Sequence, residues 1–337
     1  MADLRHTLRR WLVPAALLAA GGLGVFAQFP PGGGFGGFGG FGGYGGSARH
    51  DGGPIIRTEG GIMVDEDTVR TARETASHST GTPEWSNRPG FERDVFTFAR
   101  VIFRSEDPDG LKRNYGWGRG PRLSWWVDFP DADLNFSYRL QQLTSIRVSP
   151  DGRVLKLTDP ELASYPFLYM THPGYIKLSD EEVVALANYL RNGGVLLVND
   201  FWSQRDWEGF ETQMRLVLPG RSWTELATDH PLFNCIYKIP GPMNRLQVPT
   251  LQFWNRGFDP TDPNSRLQTV DRGVGSERMH VRAWHDDRQR ISVLAIHNSD
   301  VGDGWEREGE SDDYFRTFAE TIAYPLGINI VFYLMTH

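Results

Sequence analysis

The sequence has almost no cysteine: Cys235 stands alone among 337 residues. That scarcity excludes an intrachain disulfide framework and any multi-cysteine zinc site. A basic surplus is missing too, since 35 Lys and Arg face 42 Asp and Glu for a formal net charge of −7. Wholesale binding to nucleic acid is therefore not expected, because there is no excess of cations to neutralise phosphates. The last apolar run, residues 328–335, is far too short to cross a bilayer, which needs about 20 apolar residues. What remains is ordinary globular material, 39% hydrophobic and 23% charged, enough for a sizeable core.

The N-terminus reads as an export signal. Arg5, Arg9 and Arg10 precede an apolar stretch over residues 11–26, and Val25-Phe26-Ala27 offers a small-x-small cleavage site. Pro14 and three glycines interrupt the stretch, which favours cleavage over a retained membrane anchor. Residues 29–46 repeat Gly-Gly-Phe and end in Gly-Gly-Tyr, a composition with no means of burying its rings and a high entropic cost of ordering. A polar, weakly periodic stretch follows to Arg93. The expected organisation is a signal peptide or N-terminal membrane segment over residues 1–27, a disordered Gly/Phe-rich and polar spacer over 28–93, and a folded domain over 94–337. The expected compartment is the periplasm or cell envelope, with membrane contact only through the N-terminal segment.

The domain reads as alternating strands and helices. Residues 96–103 form a continuous apolar run of the kind that is buried on both faces of a parallel sheet. Residues 135–143 follow with helical spacing and Asn135 as a fitting N-cap, and residues 165–170 make the next strand. Ser179-Asp180-Glu181-Glu182 is a capping box, Val183, Leu186, Ala187 and Leu190 make one stripe, and Gly193-Gly194 closes the helix before a strand at 195–198. That order is a βαβ unit. Residues 207–218 predict another helix, 279–284 and 291–297 an antiparallel hairpin, and 312–323 and 328–335 two closing helices. The expected fold is α/β, three-layered, with a mostly parallel sheet and an added antiparallel hairpin.

Ligands of open α/β sheets sit beyond the carboxyl ends of the strands. That rule selects Thr171-His172, Asn199-Asp200 and His297-Asn298-Ser299-Asp300. Asp200, His172 and His297 are the candidates for acid–base chemistry, which needs them within hydrogen-bond reach of one another. Asp128, Asp133, Asn135, Asp300, Asp303, Trp305 and Glu306 are the candidates for binding, all in loops or at element ends. Asp300, Asp303 and Glu306 could make an oxygen-rich cation site, but their spacing is not that of an EF-hand loop, so no metal and no cofactor is expected. The plainer alternative is that Asp133 or Asn135 caps a helix and that Asp300 and Asp303 shape a glycine-rich turn. Trp125, Trp126, Trp202, Trp207 and Trp254, like Trp305, flank these loops, either to stack on sugar rings or to cover the sheet ends as core. Cys235 lies in the apolar run 232–239 and reads as a small core residue.

Several stretches carry a family resemblance: residues 128–136 (DFPDADLNF), 165–170 (YPFLYM), 193–201 (GGVLLVNDF), 230–233 (HPLF), 298–306 (NSDVGDGWE) and 326–331 (LGINIV). In this combination the chain resembles the DUF4159 family over roughly residues 94–337. The resemblance implies a class I glutamine-amidotransferase-like, flavodoxin-like fold, related to the ThuA-like proteins, and it carries no activity. An amidotransferase would place cysteine on a tight strand-to-helix turn. The corresponding turn here is Asn199-Asp200-Phe201, and nearby Ser203 lacks the flanking glycines of a nucleophile elbow. The expected function is therefore ligand or partner binding in the envelope, with a small molecule or an envelope protein as partner. The alternatives are a hydrolase acting on a carbohydrate or related small substrate, and a structural protein tethered by its Gly/Phe spacer.

Overall fold

Alternating burial along three apolar strands shows how the chain divides its core. Phe167 and Tyr169, Val195 and Leu197, and Leu294 and Ile296 face one hydrophobic layer. Their neighbours Leu168 and Met170, Leu196 and Val198, and Val293 and Ala295 face the other. Side chains of a strand point alternately to its two faces, so a run apolar at every position must be covered on both sides. The computed structural model describes residues 55–57, 63–77, 79–90, 94–105, 124–239, 241–254, 262 and 272–337. The signal segment, the Gly/Phe repeat and the stretch 106–123, with Trp117, lie outside the described residues.

In chain order the elements are β1 (Ile55–Arg57), β2 (Met63–Asp65), β3 (Ala99–Ile102), α1 (Asp131–Leu143), β4 (Arg153–Lys156), β5 (Phe167–Thr171), α2 (Asp180–Arg191), β6 (Val195–Phe201), α3 (Ser203–Val217), β7 (Thr224–Glu225), β8 (His280–His285), β9 (Ile291–His297) and α4 (Val301–Glu306), followed by the last helix. The main sheet has seven strands in the order β4-β3-β5-β6-β9-β8-β7. Pairing is parallel from β4 through β9 and antiparallel for β9 with β8 and β8 with β7. Helices α1 and α4 lie with the last helix on one face, and α2 and α3 on the other. This is an α/β fold whose mostly parallel main sheet ends in antiparallel strands, with β1 and β2 paired antiparallel in a small second sheet.

The capping box of α2 forms as its sequence requires. Glu182 N donates to Ser179 Oγ at 3.2 Å and Ser179 N to Glu182 Oε2 at 2.8 Å. Ser179→Ala is expected to cost about 1 kcal/mol, the usual worth of a lost cap, read as a lower urea midpoint with an unchanged slope. After the helix, Gly193 turns the chain at φ 97, and a Cβ on Gly194 would overlap the Tyr189 ring.

Four expectations change. Helix α1 starts at Asp131 rather than at Asn135, so Asn135 is an interior residue whose Nδ2 donates to Trp305 O at 2.9 Å. Strand β6 runs on through Asn199, Asp200 and Phe201 with a bulge, and the strand-to-helix turn falls at Trp202-Ser203 instead. Packing begins well before Asp94, for Val64, Val69 and Ala72 are core residues and Trp85 Nε1 donates to Val148 O at 3.3 Å. The two closing helices are one: α5 (Asp312–Tyr314), a π-helical stretch (Phe315–Ala323) and α6 (Tyr324–Thr336) join end to end. Pro325 has no N–H and its ring crowds the preceding turn, which the wider π turn accommodates. By length and composition this 25-residue helix could cross a membrane, but 67% of its apolar stretch is buried inside the protein, as befits a core helix.

Candidate functional site

The C-terminal ends of β5, β6 and β9 meet in a rim of strained backbone. Asp128, His172, Asp200, Ser203 and Asn298 all have positive φ, between 53 and 75. Side-chain-bearing residues adopt this conformation rarely, and they hold it where surrounding bonds fix it. Those bonds are present here. Asp200 N donates to Ser299 O, Asn298 N to Phe201 O, and His172 N to Asn199 O. Asn298 also accepts from Ser203 N at 2.9 Å and donates to Gly275 O and Arg278 O, both at 2.7 Å.

Five carboxyl groups are buried behind this rim: Asp128, Asp200, Asp300, Asp303 and Glu306. They form two groups that share Asp128. In one, oxygens of Asp128, Asp200 and Asp300 lie within 4.8 Å of one another; in the other, so do those of Asp128, Asp303 and Glu306. Asp200 Oδ1 accepts from Trp202 Nε1 at 2.8 Å. Asp300 caps α4 by accepting from Asp303 N at 2.9 Å, and its other oxygen accepts from Thr250 Oγ1 at 2.8 Å. Asp303 accepts from Leu251 N at 2.6 Å. Asp128 Oδ2 is buried and has no hydrogen-bond partner among the described residues. Gly302 faces it, and a Cβ there would overlap that oxygen.

Arg307, Arg272 and Arg100 oppose the five acids. Arg307 Nε lies 3.2 Å from Asp303 and 2.9 Å from Glu306. Arg272 hydrogen-bonds Thr250 Oγ1 and so reaches Asp300 at one remove, its guanidinium lying 4.7 Å from the Trp202 ring and 4.6 Å from that of Phe253. Burial is the main reason the carboxyls resist ionisation, and their mutual repulsion adds to it. Asp128 and Asp200 are pushed well above the ordinary carboxylate range, first by burial and then by neighbouring acids. Burial and Asp303 together move Asp300 up to about 6. Glu306 is also raised, by burial against the opposing pull of Arg307.

The other candidates lie in different surroundings. Asp133 is taken up by the buried Arg100, with Nε 3.0 Å from each carboxylate oxygen. Trp305 is core, its Nε1 donating to Ala323 O at 3.0 Å. His297 Nε2 donates to Ser203 O at 2.9 Å, and its Nδ1 accepts from Arg282 Nη1 at 3.3 Å. A carbonyl cannot donate and a guanidinium cannot accept, so the ring is neutral with its proton on Nε2. Burial drives its pKa down to about 3, the Ser203 hydrogen bond opposing. His172 is half-buried at the end of β5, and neither histidine belongs to the carboxylate groups. Cys235 is half-buried elsewhere, its Sγ 3.4 Å from Asn329 O, and burial pushes the thiol up rather than toward thiolate.

Sequence reasoning passed over Arg100, Thr250, Arg272 and Gly302. Only Arg100 left a trace, as a charged residue within an apolar run. A cavity of about 440 Å³ lies at the opposite ends of the strands, lined by residues such as Arg191, Arg221, Arg290 and Ser292. Two of its arginines are answered by Asp286 and Asp287, each pair at 2.6 Å, so the acidic rim is the better candidate for function.

Fold and rim together define a class: an α/β protein with a parallel sheet whose strand ends gather buried carboxyl groups and no thiol. The family described as "Domain of unknown function (DUF4159)" matches residues 114–335, and the chain belongs to it. No curated protein matches.

Proposed function

We propose that this is an exported ligand-binding protein of the cell envelope, working at the strand-end rim without an amidotransferase nucleophile. The observation that carries the reading is the convergence of Asp128, Asp200 and Asp300, three buried acids from separate stretches of chain. Burying several acids together is costly, and their retention at strand ends, where open sheets bind ligands, favours a binding role. The ligand is one that offers positive charge or hydrogen-bond donors. Among the described residues Cys235 has no acid or imidazole partner, and burial raises its pKa, which argues against a glutamine-hydrolysing nucleophile there.

The test screens cationic and polyhydroxyl small molecules against the purified mature chain by thermal shift. A true rim ligand at about 100 times its Kd should stabilise the wild type by about 2.7 kcal/mol and leave Asp200→Ala unmoved. Glutamine hydrolysis abolished by Cys235→Ser would overturn the reading.

A second reading, a hydrolase acting on a carbohydrate or related small substrate, has one observation in its favour. Ser203 opens α3 directly after β6 at φ 75, the strained strand-to-helix position of a nucleophile elbow. Labelling by a fluorophosphonate that is lost in Ser203→Ala would move the assignment to this reading.

A further inference from the structure

The ligand of the rim can be specified further, on the reading just given that the rim binds. We propose that Asp128, Asp200 and Asp300 together hold one hard divalent cation of the calcium, magnesium or manganese class. The oxygens of the three carboxylates lie within 4.8 Å of one another. Metal–oxygen bonds of about 2.1 Å for magnesium and 2.3–2.6 Å for calcium put ligand oxygens on opposite sides of the ion about 4–5 Å apart, so the spacing suits one shared ion. Asp128 Oδ2 supplies the independent sign. It is buried and has no hydrogen-bond partner among the described residues, and its carboxyl group is the one shared with Asp200 and Asp300. Gly302 leaves room for it where any side chain would collide.

The choice of these three acids follows from where the guanidiniums are. Asp303 and Glu306 already have Arg307 at 3.2 and 2.9 Å, whereas Arg272 reaches Asp300 only through Thr250. Arg100 is matched by Asp133. Arg272 meets Asp300 through Thr250, and the hydrogen bond from Trp202 leaves the Asp200 carboxylate with a second oxygen. A divalent ion compensates several buried negative charges at one point. The donor set is oxygen alone, without the imidazole or thiolate that would favour zinc or copper.

The experiment uses the mature chain freed of metal by a chelator and titrated calorimetrically with calcium, magnesium and manganese. One ion per chain is expected, with affinity falling at least tenfold in Asp128→Asn and in Asp200→Asn and unchanged in Glu225→Gln, whose carboxylate pairs with His280 and Arg282 at β7 and β8. Terbium provides a readout that does not depend on the acid variants folding. Bound at these carboxylates it lies beside the Trp202 indole, so tryptophan-sensitised emission should appear, be displaced by calcium, and drop several-fold in Trp202→Phe. Absence of binding by folded wild type at millimolar ion, or binding that Asp128→Asn and Trp202→Phe leave untouched, would overturn the proposal. An organic ligand that stabilises wild type but not Asp200→Ala, with no ion bound, would sink the cation and leave the rim reading standing.

Discussion

Arg100→Met is expected to lower folding stability by about 3–5 kcal/mol, the usual cost of removing one partner from a buried ion pair. The Arg100 side chain is fully buried, in strand β3. Its Nε donates to both oxygens of Asp133, and its Nη1 donates to Trp125 O at 2.9 Å and Val127 O at 2.8 Å. One guanidinium thus ties β3 to α1 and to the loop that ends in Asp128. The rings of Tyr169 and Phe129 lie 5.0 and 5.5 Å from its centre. Methionine fills much of the volume but leaves Asp133 as an uncompensated buried charge and two carbonyls without donors. The double variant Arg100→Met, Asp133→Leu should recover part of the loss, because exchanging a whole buried pair for apolar groups is often close to neutral. Recovery stays partial, since each unsatisfied carbonyl costs about 1–3 kcal/mol. Urea denaturation of the two variants and the wild type measures this; equal midpoints for Arg100→Met and wild type would show that the pair is not what holds the loop.

The same residue shows where sequence reading reaches its limit. The βαβ unit around α2 was legible because all its signals are local: a cap at Ser179, a stripe at helical spacing, a glycine pair, and an apolar strand over 195–198. Arg100 sits in an equally plain apolar run, yet its partner is 33 residues away, and no periodicity announces an ion pair between separate elements. The N-terminal stretch failed as a signal for a related reason. Val64, Val69 and Ala72 enter the core one at a time, without the repeat that would mark a face. Asn135 looked like a cap because Asp, Asn and Ser favour that position, but the helix had begun four residues earlier, at Asp131. At the rim, the strand-end rule located Asp200, His297 and Asp300 in sequence. It could not say that Asp200 and Asp300 would meet Asp128 while His297 turned to a carbonyl, because that depends on a bulge in β6 and on the Asn298 side chain accepting from Ser203 N. The type of residue at a strand's end is written locally; what it faces is decided by tertiary register.

His297 offers the second large effect, and its sign follows from burial. Its pKa is about 3 in the folded protein against the ordinary 6.5. Between those values the unfolded chain takes up a proton that the folded chain refuses, so the stabilising contribution is complete above pH 6.5 and is lost as pH falls toward 3. At about 1.4 kcal/mol per unit, wild type should lose about 3 kcal/mol from this group by pH 4. Raised carboxyls such as Asp300 act in the opposite sense, gaining stability as pH falls through about 6, so the raw profile mixes the two. His297→Gln separates them. Glutamine can still donate to Ser203 O but does not titrate, and the carboxyl contributions are common to both proteins. The stability difference between wild type and His297→Gln should therefore shrink or reverse by about 3 kcal/mol between pH 7 and pH 4. Parallel profiles would mean that the imidazole is charged or solvated in the folded state. A neutral His297 donates its proton to a backbone carbonyl and has no second donor for a substrate, so the same measurement bears on whether the rim binds its ligand or transforms it.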